Sequence, residues 1–211
     1  MLTGGSEVPL TGEYVTTTTR ARADGTSSTQ TSSDLVFRDR QGRVRQQRGD
    51  LITITDPVAG VRYVLNTKDQ TAYEIGISPP QSNRFTQSED LPVIPGEGGG
   101  TTSATTLNES KRLGTQQVNG VKATGQEFIS SIPAGSRLGN REPVQVTYQV
   151  WRSEELRLPL MVRMQSALNG ETSIQFKLLQ KGAEPDANLF TVPKGYRKVQ
   201  AKPVTQRGQP F

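Results

Sequence analysis

The segment Pro143–Tyr196 reads PVQVTYQVWRSEELRLPLMVRMQSALNGETSIQFKLLQKGAEPDANLFTVPKGY, and it decides the fold. It contains three runs in which apolar residues alternate with polar ones, and this alternation predicts strands with one buried face. Asn169-Gly170, between the second and third runs, is typical of a type I′ hairpin turn. We therefore predict three successive antiparallel strands that share one apolar face. Its positions are Val144, Val146, Tyr148, Val150, Leu160, Val162, Met164, Ile174, Phe176 and Leu178.

The rest of the chain repeats this pattern of short strands and tight turns. Asp24-Gly25 and Asn119-Gly120 are further hairpin signals, and no amphipathic segment is long enough to predict a helix. Evenly spaced short strands indicate a sandwich, a barrel or an open half-barrel. The predicted strands are Tyr14–Ala23, Ser28–Arg38, Arg43–Arg48, Leu51–Thr55, Val61–Asn66, Thr71–Ile75, Leu113–Val118 and Val121–Ile132.

The domain organisation follows from length and local composition. The chain has 211 residues, which fits one domain with a long insertion. Residues 76–106 are rich in Gly, Pro and Thr, so we predict a flexible insertion there. A lid is the alternative, because Phe85, Leu91, Val93 and Ile94 are apolar and have no evident strand. We predict one β domain over residues 1–200 and a polar tail over 201–211.

The residue types that are missing exclude several kinds of chemistry. The sequence has no Cys and no His. It therefore lacks thiolate nucleophiles and thiolate metal ligands, and also the usual general base and the commonest metal ligand. We predict a protein that is not an enzyme and binds no cofactor or metal. No apolar run approaches the length that spans a bilayer, so we predict no transmembrane segment.

Five arginines crowd one predicted hairpin, in a chain with a net charge of +5. They allow two interpretations, a patch that binds an anionic partner or a solvated strand face beside a tight turn. Single-stranded nucleic acid is bound by aromatic side chains on which bases stack, and only Phe37 lies near these arginines in the sequence. We therefore predict no nucleic-acid partner. The residues of the patch are Arg38, Arg40, Arg43, Arg45 and Arg48.

Two parts of the sequence resemble known proteins. Trp151, Leu158-Pro159-Leu160, Asn169-Gly170, Pro185-Asp186 and the ending Leu189–Tyr196 resemble the C-terminal part of proteins with the fold of the lipoprotein carrier LolA. The first half resembles a group of uncharacterised secreted bacterial proteins. The matching residues there are Asp24-Gly25, Val36-Phe37-Arg38-Asp39, Gln41-Gly42-Arg43, Asp56-Pro57-Val58-Ala59-Gly60 and Tyr63-Val64-Leu65.

The resemblance implies a strongly curved antiparallel sheet, a half-barrel with an apolar concave face. In the carriers this face holds acyl chains and helices close it, whereas this sequence predicts no such helices. The implied function is a non-catalytic extracytoplasmic protein, periplasmic or secreted, that binds an acyl chain or the lipid part of a lipoprotein. The alternative is a structural or interaction protein that meets another envelope protein through its sheet edge or basic face. The predicted ligand-binding residues are Val146, Tyr148, Val150, Val162, Met164, Ile174 and Phe176.

Three further expectations concern the two ends of the chain and its single Trp. MLTGGSEVPL lacks the regions of a signal peptide, which leaves either a cytoplasmic protein or a mature chain with an added Met. We expect Trp151 to be packed under the loop that follows it rather than to contact a ligand. Leu189 and Phe190 are expected to close one end of the sheet beside Ile174, Phe176 and Leu178.

Overall fold

The computed structural model describes residues 7–21, 25–77, 106–135, 140–168 and 170–200. These ranges contain twelve strands and one short 3-10 helix, Ala187–Phe190, but no α-helix. The strands are β1 (Leu10–Ala21), β2 (Ser27–Arg38), β3 (Val44–Arg48), β4 (Leu51–Asp56), β5 (Val61–Asn66), β6 (Thr71–Gly76), β7 (Thr106–Val118), β8 (Val121–Ile132), β9 (Val144–Ser153), β10 (Leu158–Ser166), β11 (Gly170–Lys181) and β12 (Arg197–Gln200).

All of these strands belong to one sheet, in the order β12-β6-β5-β4-β3-β2-β1-β11-β10-β9-β8-β7. Hairpin neighbours such as β4 and β5 pair antiparallel, whereas β12 pairs parallel with β6. The order is open, since β12 and β7 end it among the described strands. The prediction of a mostly β fold, built on a single and largely antiparallel sheet with little helix, is confirmed.

Several strand boundaries differ from the predicted ones. β7 begins at Thr106, seven residues before the predicted Leu113, because its polar first half pairs with β8 through two register shifts. β12 was not predicted at all, since Val199 is its sole apolar residue. Most of the predicted insertion at 76–106 falls on residues 78–105. Together with the predicted tail at 201–211, these residues lie outside the described ranges.

The chain divides into two compact units. Unit 1 comprises Met1–Gly12, Asp34–Ser82 and Leu179–Phe211, and unit 2 comprises Glu13–Ser33 and Asn83–Leu178. Strands β1, β2 and β11 each contribute residues to both units. The prediction of one β domain over residues 1–200 stays a prediction.

The core of unit 1 forms on one face of β4, β5 and β6, where the 3-10 helix covers it. Ile52 lies opposite Leu65, which lies opposite Ala72, and all three are buried. Phe190 of the 3-10 helix packs against them, with Leu189 half-buried beside it. Asp186 caps this helix by accepting a hydrogen bond from the Asn188 backbone N–H at 2.9 Å. Phe190 is thus buried as expected, but its neighbours are the residues of this core and not Ile174, Phe176 and Leu178.

Unit 2 is organised by its hairpins. Asn119 and Gly120 have φ angles of 49° and 79°, as a type I′ turn requires, and they join β7 to β8. On the neighbouring strand β9, Trp151 is buried and lies over Gly125 of β8 and beside Leu113. Trp151 is therefore buried, as expected, whereas its packing under the loop that follows β9 stays a prediction.

Candidate functional site

The structure brings the seven predicted ligand-binding residues together on one face of β9, β10 and β11, in unit 2. Val162 lies opposite Val150 on one side and Ile174 on the other. Met164 lies opposite Tyr148. Val146 and Phe176 lie on the same face, two residues from Tyr148 on β9 and two residues from Ile174 on β11. Cross-strand register thus builds a continuous apolar face from three sequence runs.

Most of this face is covered by other side chains. Phe176 is 1% exposed and Val146 and Val150 are 2% exposed, while Tyr148 and Ile174 are half-buried. Ile132 of β8 joins Val146 and Met164 in one apolar cluster, and Tyr148 packs against it. The side chains of this face are therefore packed against one another, and they do not line an open apolar groove.

Two polar side chains hold unit 2 together around Phe176. The ring of Tyr14 on β1 lies 4.9 Å from the Phe176 ring, and its hydroxyl donates a hydrogen bond to the Pro159 carbonyl on β10 at 3.1 Å. The Asn119 side-chain amide donates to the Phe176 carbonyl at 2.7 Å. Because β9 and β10 separate β8 from β11 in the sheet order, this contact requires the sheet of unit 2 to bend.

A cavity of about 840 Å³ lies at the end of β9 and β10. It is lined by residues 140–145, by Thr147, and by residues 165–168 at the end of β10 and the turn after it. Two of these lining residues lie on the face of the apolar cluster. On β9, Val144 comes two residues before Val146, and on β10, Ser166 comes two residues after Met164. Through Val144 and Ser166 the cavity therefore borders the face of the apolar cluster of Ile132, Val146 and Met164. Its lining residues Gln145, Thr147 and Gln165 point to the opposite face of the same strands.

The rim of this cavity is held by one buried amide. Asn140 donates from its side chain to the carbonyls of Pro133 and Glu142, at 2.9 and 2.7 Å. It also accepts a hydrogen bond at its own carbonyl, from the Gly135 N–H at 2.8 Å. These bonds tie the segment before β9 to the end of β8. The wall formed by residues 140–145 is accordingly a defined part of unit 2.

A second cavity of about 250 Å³ adjoins the first and shares Thr147 and Gln165 with it. Its other lining residues are Gln149, Arg163, Met164 and Glu171. Gln149 donates a hydrogen bond to the Glu127 carboxylate at 2.6 Å, so part of this polar surface is already engaged. This cavity is polar except for Met164, which also belongs to the apolar cluster.

The five predicted patch arginines lie in unit 1, where each has a partner within the chain. Arg38 is buried and donates to the Val8 carbonyl at 2.9 Å, and Arg40 forms an ion pair with Glu184 at 3.5 Å. Arg48 forms an ion pair with Asp34. The hydrogen bond to Asp34 raises the pKa of Arg48.

Arg43 and Arg45 share a face, as alternation predicts, and both turn toward the 3-10 helix. Arg43 bonds to the Asp39 carboxylate at 2.5 Å and lies 5.0 Å from the centre of the Phe190 ring. Arg45 donates to the Leu189 carbonyl at 3.1 Å, and burial lowers its pKa. These two arginines thus fix the helix on the core of unit 1. Binding of an anionic partner by the five arginines, or by a sheet edge, stays a prediction.

Several residues that shape the site were not predicted to do so. Tyr14 and Asn119 were identified as a strand residue and a turn residue, and residues 140–142 as the end of a Gly-rich loop, Pro133–Glu142. The sequence predicts only that Asn119 lies in a turn. It does not predict the hydrogen bond to Phe176, because that residue lies 57 positions away. The cavity also depends on where residues 140–143, before β9, lie relative to the turn after β10, and no local pattern encodes that.

Two negative findings concern the part of the chain that the structure describes. There, no group of three or more His, Cys, Asp or Glu side chains is placed to hold a metal ion. Nor does that part contain a helix with the length and hydropathy needed to cross a bilayer.

No protein-family model and no curated protein matches the chain. Similar solved structures include a chain of the Pseudomonas aeruginosa MucA/MucB complex, at 16% identity and a TM-score of 0.40 over 90% of this chain. This chain spans only 57% of that one. The Mycobacterium tuberculosis lipoprotein LppX is 15% identical, with a TM-score of 0.31 over 84% of this chain and 89% of its own.

A LolA superfamily protein from Nitrosomonas europaea is similar at 12% identity and a TM-score of 0.24, over 87% of this chain and 90% of its own. The resemblance to proteins of the LolA fold, stated from the sequence, is thus found again among solved structures. Similarity of this extent carries no function over to the chain.

Proposed function

We propose that this protein is a non-catalytic binding protein of the cell envelope, and that it takes up a hydrophobic ligand in unit 2. The ligand class is an acyl chain, either free or as the lipid part of a lipoprotein. The observation that carries the proposal is the position of the cavity of about 840 Å³, which adjoins the apolar cluster of Ile132, Val146 and Met164. The periplasmic or secreted location is part of the proposal and rests on the sequence resemblance.

The composition of the cavity suits a ligand with an apolar chain and a polar head. Ligand cavities typically enclose about 300–1,000 Å³ and combine an apolar lining with a few polar groups. Here Pro143, Val144, Ala167 and Leu168 supply apolar surface next to the cluster. Arg141 supplies a guanidinium on the rim, which suits the carboxylate or phosphate of a head group.

An acyl chain can extend beyond the cavity only if the apolar cluster opens. Met164 belongs to the cluster and lines the second cavity, and its unbranched side chain with a thioether adapts readily to new neighbours. Tyr148, which packs against the cluster, is half-buried and also has room to move. We expect an acyl chain to displace these two side chains and to lie along Val146, Val150 and Val162.

A titration with a fluorescent fatty-acid analogue tests the proposal. Val144→Glu puts a carboxylate in the cavity wall beside the cluster, so binding should weaken at least about tenfold, because a buried unpaired charge is costly. Val58→Glu is the matched control, since Val58 lies in a turn of unit 1 and is 73% exposed. Both variants should give the circular dichroism spectrum of the unchanged protein.

Two results would contradict the proposal. One is a wild-type protein that does not bind the analogue and carries no co-purified lipid in native mass spectra of material from its own host. The other is equal binding by Val144→Glu, Val58→Glu and the wild type. The second result would leave lipid binding in place but remove it from the cavity.

A further inference from the structure

One face of unit 1 carries exposed apolar side chains in the part of the chain that the structure describes. It lies on β4, β5, β6 and β12, opposite the core that contains Phe190. Cross-strand register places Val64 opposite Tyr73, Arg62 opposite Ile75, and Arg197 opposite Thr71 on this face. Leu51 lies on it at the start of β4, opposite Asn66. The basic apolar face is defined here by Leu51, Arg62, Val64, Tyr73, Ile75 and Arg197.

The large apolar residues of this face are exposed. Leu51, Tyr73 and Ile75 have 53%, 44% and 38% of their surface exposed. On the opposite face of the same strands, Ile52, Leu65 and Ala72 are buried in the core. Apolar residues on both faces are typical of strands that are covered on both sides. Exposed apolar surface with a polar rim marks an interaction site.

The charge on this face has one sign. Across the described positions of these four strands, neither Asp nor Glu points to the basic apolar face. Glu74 lies opposite Tyr63 and Asp56 opposite Val61, which places both carboxylates on the core side. Asp50 and Asp69 lie in the nearest turns, and Asp56 ends β4. Each of these accepts hydrogen bonds from its own neighbourhood, for instance Asp69 from Thr71 and Asp56 from the Val58 N–H.

We propose that the basic apolar face docks unit 1 on the surface of an anionic lipid bilayer. Tyr and aliphatic side chains are stabilised where headgroups meet acyl chains. An Arg side chain buries its aliphatic stem and keeps its guanidinium at the level of the phosphates. The face offers both features side by side, with Arg62 directly opposite Ile75 on the next strand.

Charge argues for a bilayer over a second copy of the chain. A symmetric pair would bring the same face together with itself. Arg62 and Arg197 of both copies would then enter one apolar interface that holds no carboxylate on the strands, which is strongly unfavourable. A lipid phosphate supplies the missing negative charge.

Co-sedimentation with lipid vesicles tests this inference. The protein should bind vesicles of phosphatidylcholine with phosphatidylglycerol better than vesicles of phosphatidylcholine alone, and added salt should weaken that binding. Each of Arg62→Gln and Arg197→Gln should weaken it about fivefold, the effect of about one basic residue near an anionic surface. The double variant Tyr73→Ser/Ile75→Thr should reduce binding to both kinds of vesicle.

Matched controls separate this face from the rest of the molecule. Leu179→Ser changes a residue of unit 1 that is 57% exposed but lies on β11, and Lys177→Gln removes an exposed charge on the same strand. Neither should alter vesicle binding. Val144→Glu, which is aimed at the cavity of unit 2, should also leave vesicle binding unchanged, so the two proposals can fail separately.

Three outcomes would overturn the inference. The first is vesicle binding that is equally strong with and without phosphatidylglycerol and that persists in the Tyr73→Ser/Ile75→Thr variant. The second is loss of vesicle binding in Val144→Glu alone, which would assign the lipid contact to unit 2 and leave the proposed function standing. The third is a dimer in size-exclusion chromatography that the face variants abolish, with no vesicle binding, which would make the face an interface between copies.

Discussion

The Nε1 atom of Trp151 lies 2.6 Å from the position that a Cβ atom would take on Gly125, its cross-strand partner on β8. The Leu113 side chain stands 3.0 Å from the same position. The indole thus occupies the space that every other residue type would need at this point. Glycine lets β8 pass beneath the large aromatic ring of the single Trp of the chain.

Gly125→Ala is expected to lower the free energy of unfolding by about 1–3 kcal/mol, because the indole or β8 must shift to admit a methyl group. Denaturant melts followed by Trp151 fluorescence measure the change. Gly76→Ala is the matched control, since a Cβ at Gly76 meets nothing within 4 Å, and it should change stability by less than about 1 kcal/mol. Equal stability of both variants would show that Trp151 does not rest on β8.

Phe190→Ala is expected to destabilise the protein by about 3–5 kcal/mol, the usual cost of removing a buried ring. Phe190 is 4% exposed and touches the core of unit 1, and Arg43 lies over its ring. The matched control is Leu179→Ala at an exposed position, where the change should stay within about 0.5 kcal/mol. A denaturation midpoint for Phe190→Ala equal to that of the control would contradict the packing of the 3-10 helix.

The predictions that succeeded depend on local pattern. Period-two alternation is fixed by the geometry of a strand, so it identified β9, β10 and β11 and the face that their apolar residues share. The Asn119-Gly120 turn was also predictable from local sequence, because few residue pairs accept two positive φ angles. These features need no knowledge of distant parts of the chain.

The predictions that failed depend on which strands become neighbours. Leu189 and Phe190 were correctly expected to be buried, but apolar character does not say against which core. The chain leaves β11, forms the 3-10 helix and returns as β12 beside β6, more than a hundred residues earlier in sequence. The partners of the arginines show the same limit, since Arg40 pairs with Glu184 across 144 positions.

Tyr14→Phe is expected to cost about 0.5–1.5 kcal/mol, because the Pro159 carbonyl loses a hydrogen bond while the ring contact with Phe176 is kept. Thermal or denaturant unfolding measures the loss. Tyr73→Phe is the control, since this tyrosine is exposed and its hydroxyl should matter little. Should the two variants be equally stable, the hydroxyl of Tyr14 would have no part in joining β1 to β10.

Tyr63 should make stability depend on alkaline pH. Burial raises the pKa of Tyr63, and the carboxylate of Glu74, opposite it on β6, adds to the rise. The folded protein therefore disfavours the phenolate. Stability should be unaffected below the unfolded pKa of about 10 and should fall as pH rises from there through the folded pKa. In Tyr63→Phe this fall should be smaller, and absorbance titration at alkaline pH should lose one tyrosine whose pKa is raised above the usual value. If the missing tyrosine instead titrates with an ordinary pKa, Tyr63 is not shielded as the structure indicates.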